Sequence, residues 1–224
     1  MSNVKPLEND LLNLWTQLPH KLRVTSEEAR AAMAVIKGLG IKVPHMAPNG
    51  FAVSVLTFAV RDYAVDRWAW AVPNEEAIQM LVKHSPIVEI GAGTGYWARL
   101  AAQAGADVVA YDSRVGHNHG KGHQVRKCGA YFPVRRGGAG MARYHRDRTL
   151  FLCWPPYKSG MAAKALANYS GRTLIYVGEN GGCTGDDAFH EALEAQWVLG
   201  SWVQIPQWMG IHDRMLVFNR KESG

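Results

Sequence analysis

Cysteine is scarce in this chain of 224 residues, which contains only Cys128, Cys153 and Cys183. An odd number at wide spacing excludes a framework of paired disulfides and favours a reducing, cytoplasmic setting.

Long hydrophobic runs are also lacking. The longest, at 51–60, is too short to span a bilayer and is expected to form a buried helix or strand, so no membrane partner is expected. The N-terminal residues 1–10 form no apolar segment, and we expect no signal peptide there.

Acidic residues are nearly missing between Ser113 and Arg148, where nine Lys or Arg face the single acid Asp147. This stretch carries more positive charge than the net +6 of the whole chain. A basic segment of this kind favours an acidic partner, and nucleic acid is the partner that we consider. Arg135 and Arg136 are its candidate substrate-binding residues. The alternative is a solvated loop without a partner.

Helical patterns dominate residues 1–84. Ser26 is expected to cap a helix that contains residues 29–38, because two acids follow it and a glycine closes the apolar pattern. Residues 73–76 are expected to open another helix, whose apolar residues recur at helical spacing. The range 1–84 is therefore predicted to be a helical N-terminal region.

The pattern changes from residue 85, where short apolar runs begin to alternate with helical segments. Such alternation predicts an α/β fold with a mainly parallel sheet and right-handed crossovers. We expect the range 85–224 to form one structural unit with the helical region before it. The predicted elements are strands at 87–90, 108–111, 131–134, 149–153 and 173–177, an antiparallel pair at 202–205 and 215–219, and helices at 96–104 and 186–196.

The segment from Glu89 to Gly95 is the strongest motif in the chain. It places glycines at 91, 93 and 95 between a predicted buried strand and a predicted helix. Glycine lets the backbone approach a ligand closely and adopt positive φ angles. Asp112 ends the next strand, where an acid can accept hydrogen bonds from ribose hydroxyls. The motif predicts a nucleotide-binding loop, and a tight turn without a ligand is the alternative.

This alternating glycine pattern resembles motif I of class I S-adenosylmethionine (SAM) dependent methyltransferases. The dinucleotide fingerprint would need its third glycine at position 96, where this chain has Tyr96. The resemblance implies a Rossmann-like fold with SAM as the cofactor. The cofactor-binding residues that it implies are Glu89, Gly91, Ala92, Gly93, Gly95, Tyr96, Asp112, Ser113, Trp154 and Pro155.

The loop Trp154-Pro155-Pro156-Tyr157 follows a predicted strand. Two prolines make it stiff, and the end of a central strand is where ligands bind in open α/β sheets. It resembles motif IV of amino methyltransferases, whose first residue is Asp or Asn. Trp154 departs from that pattern, because indole has no acceptor for a hydrogen bond from a target amine. The resemblance implies Trp154, Pro156 and Tyr157 as substrate-binding residues, with Tyr157 also a candidate catalytic residue; a core tryptophan beside a structural turn is the alternative.

Further segments resemble those of an uncharacterised class I SAM-dependent methyltransferase-like family. The likeness spans roughly residues 60–220 and implies the fold and SAM binding, without a particular methyl acceptor. The segments that carry it are 63, 68–74, 89–98, 153–157, 178–179, 207–208 and 212–213.

Weaker signals lie around these motifs. Glu179 follows a predicted strand and is a weak candidate for a general base, with capping of the next turn as the alternative. Trp70 is expected either to cover the cofactor or to pack in the core, and His212-Asp213 is expected to be a surface turn. Residue types that can bind zinc also lie close together in the basic segment: His117, His119, His123 and Cys128. Their spacing matches no zinc motif, so we expect a basic loop there and no metal site.

Three functions are compatible with these patterns. The first is methyl transfer from SAM, with nucleic acid or another anionic substrate held by the basic segment. The second is a protein that binds SAM or a nucleotide without methyl transfer, which the tryptophan in the motif IV position favours. The third is a nucleic-acid-binding module on a methyltransferase scaffold. The fold alone cannot choose among them.

Overall fold

The computed structural model describes residues 8–21, 24–41, 50–116 and 129–222, with only the backbone given for 50–56. The apolar stretch at 51–60 belongs to a helix. No helix within these described ranges has the length and apolar character needed to cross a bilayer. The helices that precede the sheet are α1 (Asp10–Thr16), α2 (Ser26–Gly38), α3 (Gly50–Arg67) and α4 (Glu75–Lys83).

Side-chain caps fix the starts of these helices. Thr25 accepts a hydrogen bond from the Glu28 amide at 3.2 Å, and the Glu28 carboxylate accepts one from the Thr25 amide at 2.7 Å. The prediction that Ser26 is the cap is wrong, because this reciprocal pair needs an acid three residues after the cap. Asn74 caps α4 and donates to the carbonyl of Gln204 at 2.9 Å. The start of α4 is therefore tied to the C-terminal part of the chain.

A seven-stranded sheet follows, in the order β3-β2-β1-β4-β5-β7-β6. The first five strands in sequence are parallel, and β7 runs antiparallel between β5 and β6. This sheet confirms the predicted mainly parallel α/β fold of the class I, Rossmann-like type. Its strands are β1 (Ile87–Ile90), β2 (Val108–Asp112), β3 (Val134–Arg136), β4 (Thr149–Cys153), β5 (Thr173–Gly178), β6 (Trp197–Val203) and β7 (Arg214–Arg220).

Two strands differ from their predicted positions. β6 begins at Trp197, directly after a helix, and the residues between its two buried ends are all exposed. It therefore shows none of the alternation that marks a half-buried strand in a sequence. β3 lies at Val134–Arg136 instead of 131–134, and two of its three residues are exposed arginines. Its position depends on pairing with β2, where Val134 lies beside Ala110.

Helices cover both faces of the sheet. Leu150 and Leu152 of β4 pack in one apolar cluster with Phe189, whereas Phe151 between them packs on the opposite face with Trp97. Because both faces are covered, the carboxyl edge of the parallel strands is where a ligand crevice is expected. The helices in this part of the chain are α5 (Tyr96–Gln103), α6 (Met161–Asn168), α7 (Asp187–Gln196) and a 3₁₀ helix at Ala139–Tyr144.

The Tyr96 hydroxyl joins the N-terminal region to this α/β part. It donates to Asn9 Oδ1 at 3.1 Å and accepts from the Leu11 amide at 3.2 Å. Asn9 in turn donates from Nδ2 to the carbonyl of Pro73 at 2.6 Å. These buried bonds connect the start of α1, the start of α5 and the segment before α4.

We expect Tyr96→Phe to lower the free energy of unfolding by about 1–3 kcal/mol, because it leaves the buried Leu11 amide without its acceptor and removes one of the two hydrogen bonds that Asn9 Oδ1 accepts. Chemical denaturation measures the loss. Tyr144→Phe is the matched control, since Tyr144 is 68% exposed, and it should change stability by less than about 0.5 kcal/mol. A Tyr96→Phe protein as stable as the wild type would contradict this coupling of α1 to α5.

Candidate functional site

The glycine loop between β1 and α5 has a backbone that needs glycine. Gly91, Gly93 and Gly95 have φ angles of 81°, 56° and 73°, in the left-handed region that side chains disfavour. A Cβ at Gly95 would also lie 2.7 Å from Val134 Cγ2, a side-chain atom at the start of β3. The first two glycines face a cavity, whereas Gly95 allows the loop to pack closely on its neighbour.

Asp112 at the end of β2 holds this loop in place. Its carboxylate is 3% exposed, and it accepts hydrogen bonds from the amides of Gly93 at 2.8 Å and Arg114 at 2.7 Å. Parallel pairing of β1 with β2 brings the strand end and the loop to the same edge of the sheet. Asp112 therefore connects the end of β2 to the loop after β1.

A cavity of about 400 Å³ opens at this carboxyl edge. It is lined on one side by the glycine loop and the end of β2, and on another by the loop after β4. The sequence-predicted site residues that it brings together are Glu89, Gly91, Ala92, Gly93, Tyr96, Asp112, Ser113, Trp154 and Pro156.

Glu89 is the most unusual acid in this cavity. It is 2% exposed, and its Oε2 has no hydrogen-bond partner among the described residues. Burial, with a contribution from the nearby charge of Asp112, raises the pKa of Glu89 to about 8. A buried carboxyl group with an unused oxygen suits a ligand that offers a hydrogen-bond donor or a positive charge.

The tryptophan-rich segment before α4 forms another part of the cavity wall. Thr94 Oγ1 donates to the carbonyl of Trp68 at 2.5 Å, and Trp97 Nε1 donates to the carbonyl of Ala71 at 3.3 Å. One side chain of the glycine loop and one of α5 therefore hold this segment. Trp68 and Trp70 both line the cavity, and that Trp70 covers a cofactor there stays a prediction.

Trp154 is held in an unusual conformation by three neighbours. Its φ is 48°, in the left-handed region that non-glycine residues rarely adopt. Its indole Nε1 donates to Asp213 Oδ2 at 2.8 Å. Its ring stacks on Trp70 with the centroids 5.4 Å apart, and the guanidinium of Arg61 lies 5.3 Å from each of the two ring centroids. Strained backbone fixed in this way is frequent at functional sites.

Other predicted site residues lie outside the cavity lining. Tyr157 is 48% exposed, and the Pro155 carbonyl accepts a hydrogen bond from Gly185 at 3.0 Å. Arg135 and Arg136 are exposed on β3. They precede Gly137 and Gly138, which do line the cavity, so the two arginines lie at its rim.

Glu179 organises the turn that follows β5. Its carboxylate accepts hydrogen bonds from the His212 amide at 2.6 Å and from the Cys183 amide at 3.2 Å and thiol at 2.8 Å. Burial acts to raise the pKa of Glu179, but these hydrogen bonds from Cys183 and His212 lower it below its ordinary value. The residue does not line the cavity, and its bonds agree with the turn-capping alternative.

Asp213 and Arg61 are residues that the sequence did not single out as site residues. The expectation of a surface turn at His212-Asp213 is wrong for Asp213, which is 1% exposed. Its Oδ2 accepts from Trp154, its Oδ1 has no partner among the described residues, and burial raises its pKa to about 6. The position of Asp213, an acid directly before an apolar strand, was the one sequence feature that could have indicated a buried acid. Arg61 lies within α3, and its sequence position gave no indication that it contacts Trp154.

The candidate zinc-ligand types at His117, His119, His123 and Cys128 lie outside the described residues. Within the described ranges, no group of three or more His, Cys, Asp or Glu side chains is arranged to hold a metal ion.

No protein-family model and no curated protein matches this sequence. Among solved structures, the chain is similar to magnesium protoporphyrin IX methyltransferase from Synechocystis PCC 6803 with bound SAM. That match has 12% identity and a TM-score of 0.42, and it covers 83% of this chain and 91% of the other. Human N-acetylserotonin methyltransferase in complex with SAM matches at 10% identity with a TM-score of 0.39, over 95% of this chain and 66% of the other. Similarities at this level carry no argument about ligand or substrate.

We expect Glu89 to make stability depend on pH. Its folded-state pKa of about 8 lies above the ordinary value of 4.5, so the folded protein binds more protons between these values and its stability falls as pH rises. The slope reaches about 1.4 kcal/mol per pH unit for one proton. Glu89→Gln should remove that slope between about pH 6.5 and 8, as measured by denaturation at several pH values.

Asp213→Asn is the matched control for this experiment. The pKa of Asp213 is about 6, so its own effect lies mostly at lower pH and the variant should keep the slope that Glu89 causes. A Glu89→Gln protein with the wild-type slope would show that another group titrates in this range.

Proposed function

We propose that the cavity binds SAM and that the chain is a SAM-dependent methyltransferase. The observation that carries the proposal is the pair of buried acids around the glycine loop. Glu89 at the end of β1 and Asp112 at the end of β2 both line the cavity that Gly91 and Gly93 face. Resemblance of this segment to motif I of class I methyltransferases supports the same assignment.

The two acids suit different parts of the cofactor. Asp112 is an acid at the end of β2, where a carboxylate can accept hydrogen bonds from ribose hydroxyls, and the left-handed glycines let the backbone come close to the ligand. Glu89 Oε2, which has no partner among the described residues, suits the ammonium group of the methionine part. Since the pKa of Glu89 is about 8, it is mostly protonated at neutral pH before binding. A bound cation would therefore favour release of its proton.

The chain's own contribution to methyl transfer would be position and exclusion of water. The sulfonium of SAM supplies the reactivity once the cofactor is bound. The cavity walls formed by Trp70, Trp154 and Pro156 would then hold the acceptor near the reacting carbon. Cys153 also lines the cavity, but burial raises the pKa of its thiol well above the ordinary value, which disfavours a nucleophilic thiolate there.

We expect Asp112→Asn to weaken binding of both SAM and its demethylated product by roughly tenfold or more, because a charge-assisted hydrogen bond is worth about 1.5–3 kcal/mol. Calorimetry measures the affinity, and thermal unfolding shows whether the variant folds. Glu89→Gln should also weaken binding and should abolish the proton release that calorimetry in two buffers detects for the wild type.

Asp147→Asn is the control that matches the charge change, since Asp147 is exposed and lies outside the cavity lining. Unchanged affinity in both the Asp112 and Glu89 variants would reject the cavity as the SAM site. Binding without methyl release from labelled SAM in the presence of cell extract would favour the alternative, a SAM-binding protein without transfer.

The basic rim supports a second candidate function, the binding of nucleic acid. Arg135 and Arg136 are exposed beside Gly137 and Gly138 of the cavity, and Arg114 lines the cavity from the end of β2. A polyanion bound at this rim would lie next to the proposed cofactor site. Phosphate contacts would supply affinity without sequence preference.

We expect an Arg135→Ala, Arg136→Ala double variant to bind DNA or RNA more weakly at low salt. Each lost phosphate contact should lower the slope of log affinity against log salt by about one unit. Gel shifts over a salt series measure this slope, with Arg172→Ala as the control because Arg172 is exposed at the start of β5, away from this rim. No shift of the wild-type protein with either polymer would remove nucleic acid as a partner.

A further inference from the structure

The acceptor side of the proposed methyltransferase site is not basic. Trp154 follows β4, Glu179 follows β5, and Asp213 precedes β7, which runs antiparallel to β5. Because β4, β5 and β7 are neighbours in the sheet, these three residues meet at one edge. Of the arginines at the rim, Arg114 follows β2, and Arg135 and Arg136 end β3. Glu179 and Asp213 do not line the cavity themselves, so they act on a ligand beside Trp154 through their charge.

Two carboxylates determine the charge at this acceptor side. Glu179 has a side chain 14% exposed and is fixed by hydrogen bonds from Cys183 and His212. Asp213 is 1% exposed, and its Oδ1 has no hydrogen-bond partner among the described residues. Charges in such poorly solvated positions act over longer distances than charges in water.

Arg61 does not turn this side into an anion site. Its guanidinium lies 5.3 Å from the ring centroids of both Trp70 and Trp154, which places it against the two indoles. Asp213 and Glu179 both interact with its charge, and Asp62 adds a further negative charge nearby. Among the described residues, three carboxylates therefore act on this guanidinium, and the exposed His212 lies 3.7 Å from one of them, Glu179.

The indole of Trp154 has no further hydrogen-bond donor for an anion. The only donor of the Trp154 side chain is the indole N–H, which is bound to Asp213. Trp70 stacks on Trp154 with an angle of 14° between the rings. Indole rings attract planar groups by stacking and cations through their negative faces.

We propose that the acceptor side binds a planar group that carries positive charge or N–H donors and excludes anions, with Asp213 as the residue that selects it. The inference rests on the proposed function, because it takes the cavity as a methyltransferase site. It also gives Trp154, in the motif IV position, a role: its indole nitrogen binds the carboxylate of Asp213. The carboxylate that this loop lacks is supplied by Asp213, which is brought from the other end of the chain to 2.8 Å from the Trp154 nitrogen.

Three small probes with one ring and different charges test this proposal: benzamidinium, benzamide and benzoate. Their binding is measured by NMR on the full chain, both without a cofactor and saturated with the demethylated product of SAM. We expect benzamidinium to bind at least tenfold more tightly than benzoate, with benzamide between them, as a Coulomb interaction in a partly buried site allows. Asp213→Asn keeps a hydrogen-bond acceptor for the indole but removes the charge, and it should reduce this preference several-fold.

Arg61→Met is the matched variant for the opposite charge. Under the proposal it should strengthen benzamidinium binding and leave benzoate weak. Tighter binding of benzoate than of benzamidinium, loss of benzoate binding on Arg61→Met, or no binding of any probe would each overturn the inference. If the demethylated product itself does not bind, the proposed function fails, while the order of the three probes in the empty cavity still tests the charge preference.

Discussion

The hydrogen bond from the Gly93 amide to Asp112 Oδ2 is the contact on which the site depends. It joins the end of β2 to the loop after β1, and both lie at the carboxyl edge because the two strands are parallel. With the loop fixed in this way, Glu89 is left buried at the end of β1 with an oxygen that has no partner among the described residues. An unused polar atom in a buried place destabilises the empty site and favours a ligand that satisfies it.

The fold could be predicted in most of its elements because its signals are local. A buried run such as β1, followed by glycines that must adopt positive φ, can be identified without knowing what packs around it. β6 could not be located correctly, because its exposed middle residues follow no period of two and its position depends on pairing with β7. The cap of α2 was misplaced by one residue because Thr25 and Ser26 are both good caps, and Glu28 decides between them.

The site could be predicted only around the glycine loop. Glu89, Asp112 and the glycines are close in sequence, whereas Arg61 and Asp213 are far from Trp154 and meet it only through the arrangement of α3, β4 and β7. No sequence period links such residues. The consequence is an uneven distribution of charge around the cavity, because Arg114 lines it beyond β2, whereas Glu179 and Asp213 lie outside its lining.

The concentration of tryptophan around one cavity has an optical consequence. The chain has eight tryptophans, and Trp68, Trp70, Trp97 and Trp154 all line the same cavity. The rings of Trp70 and Trp154 are 5.4 Å apart and nearly parallel, close enough for their excited states to couple. Coupling between the strong indole transitions contributes to the far-ultraviolet circular dichroism spectrum. The protein therefore contains its own reporter, in which entry of a ligand between the cavity walls changes the light that these rings absorb and emit.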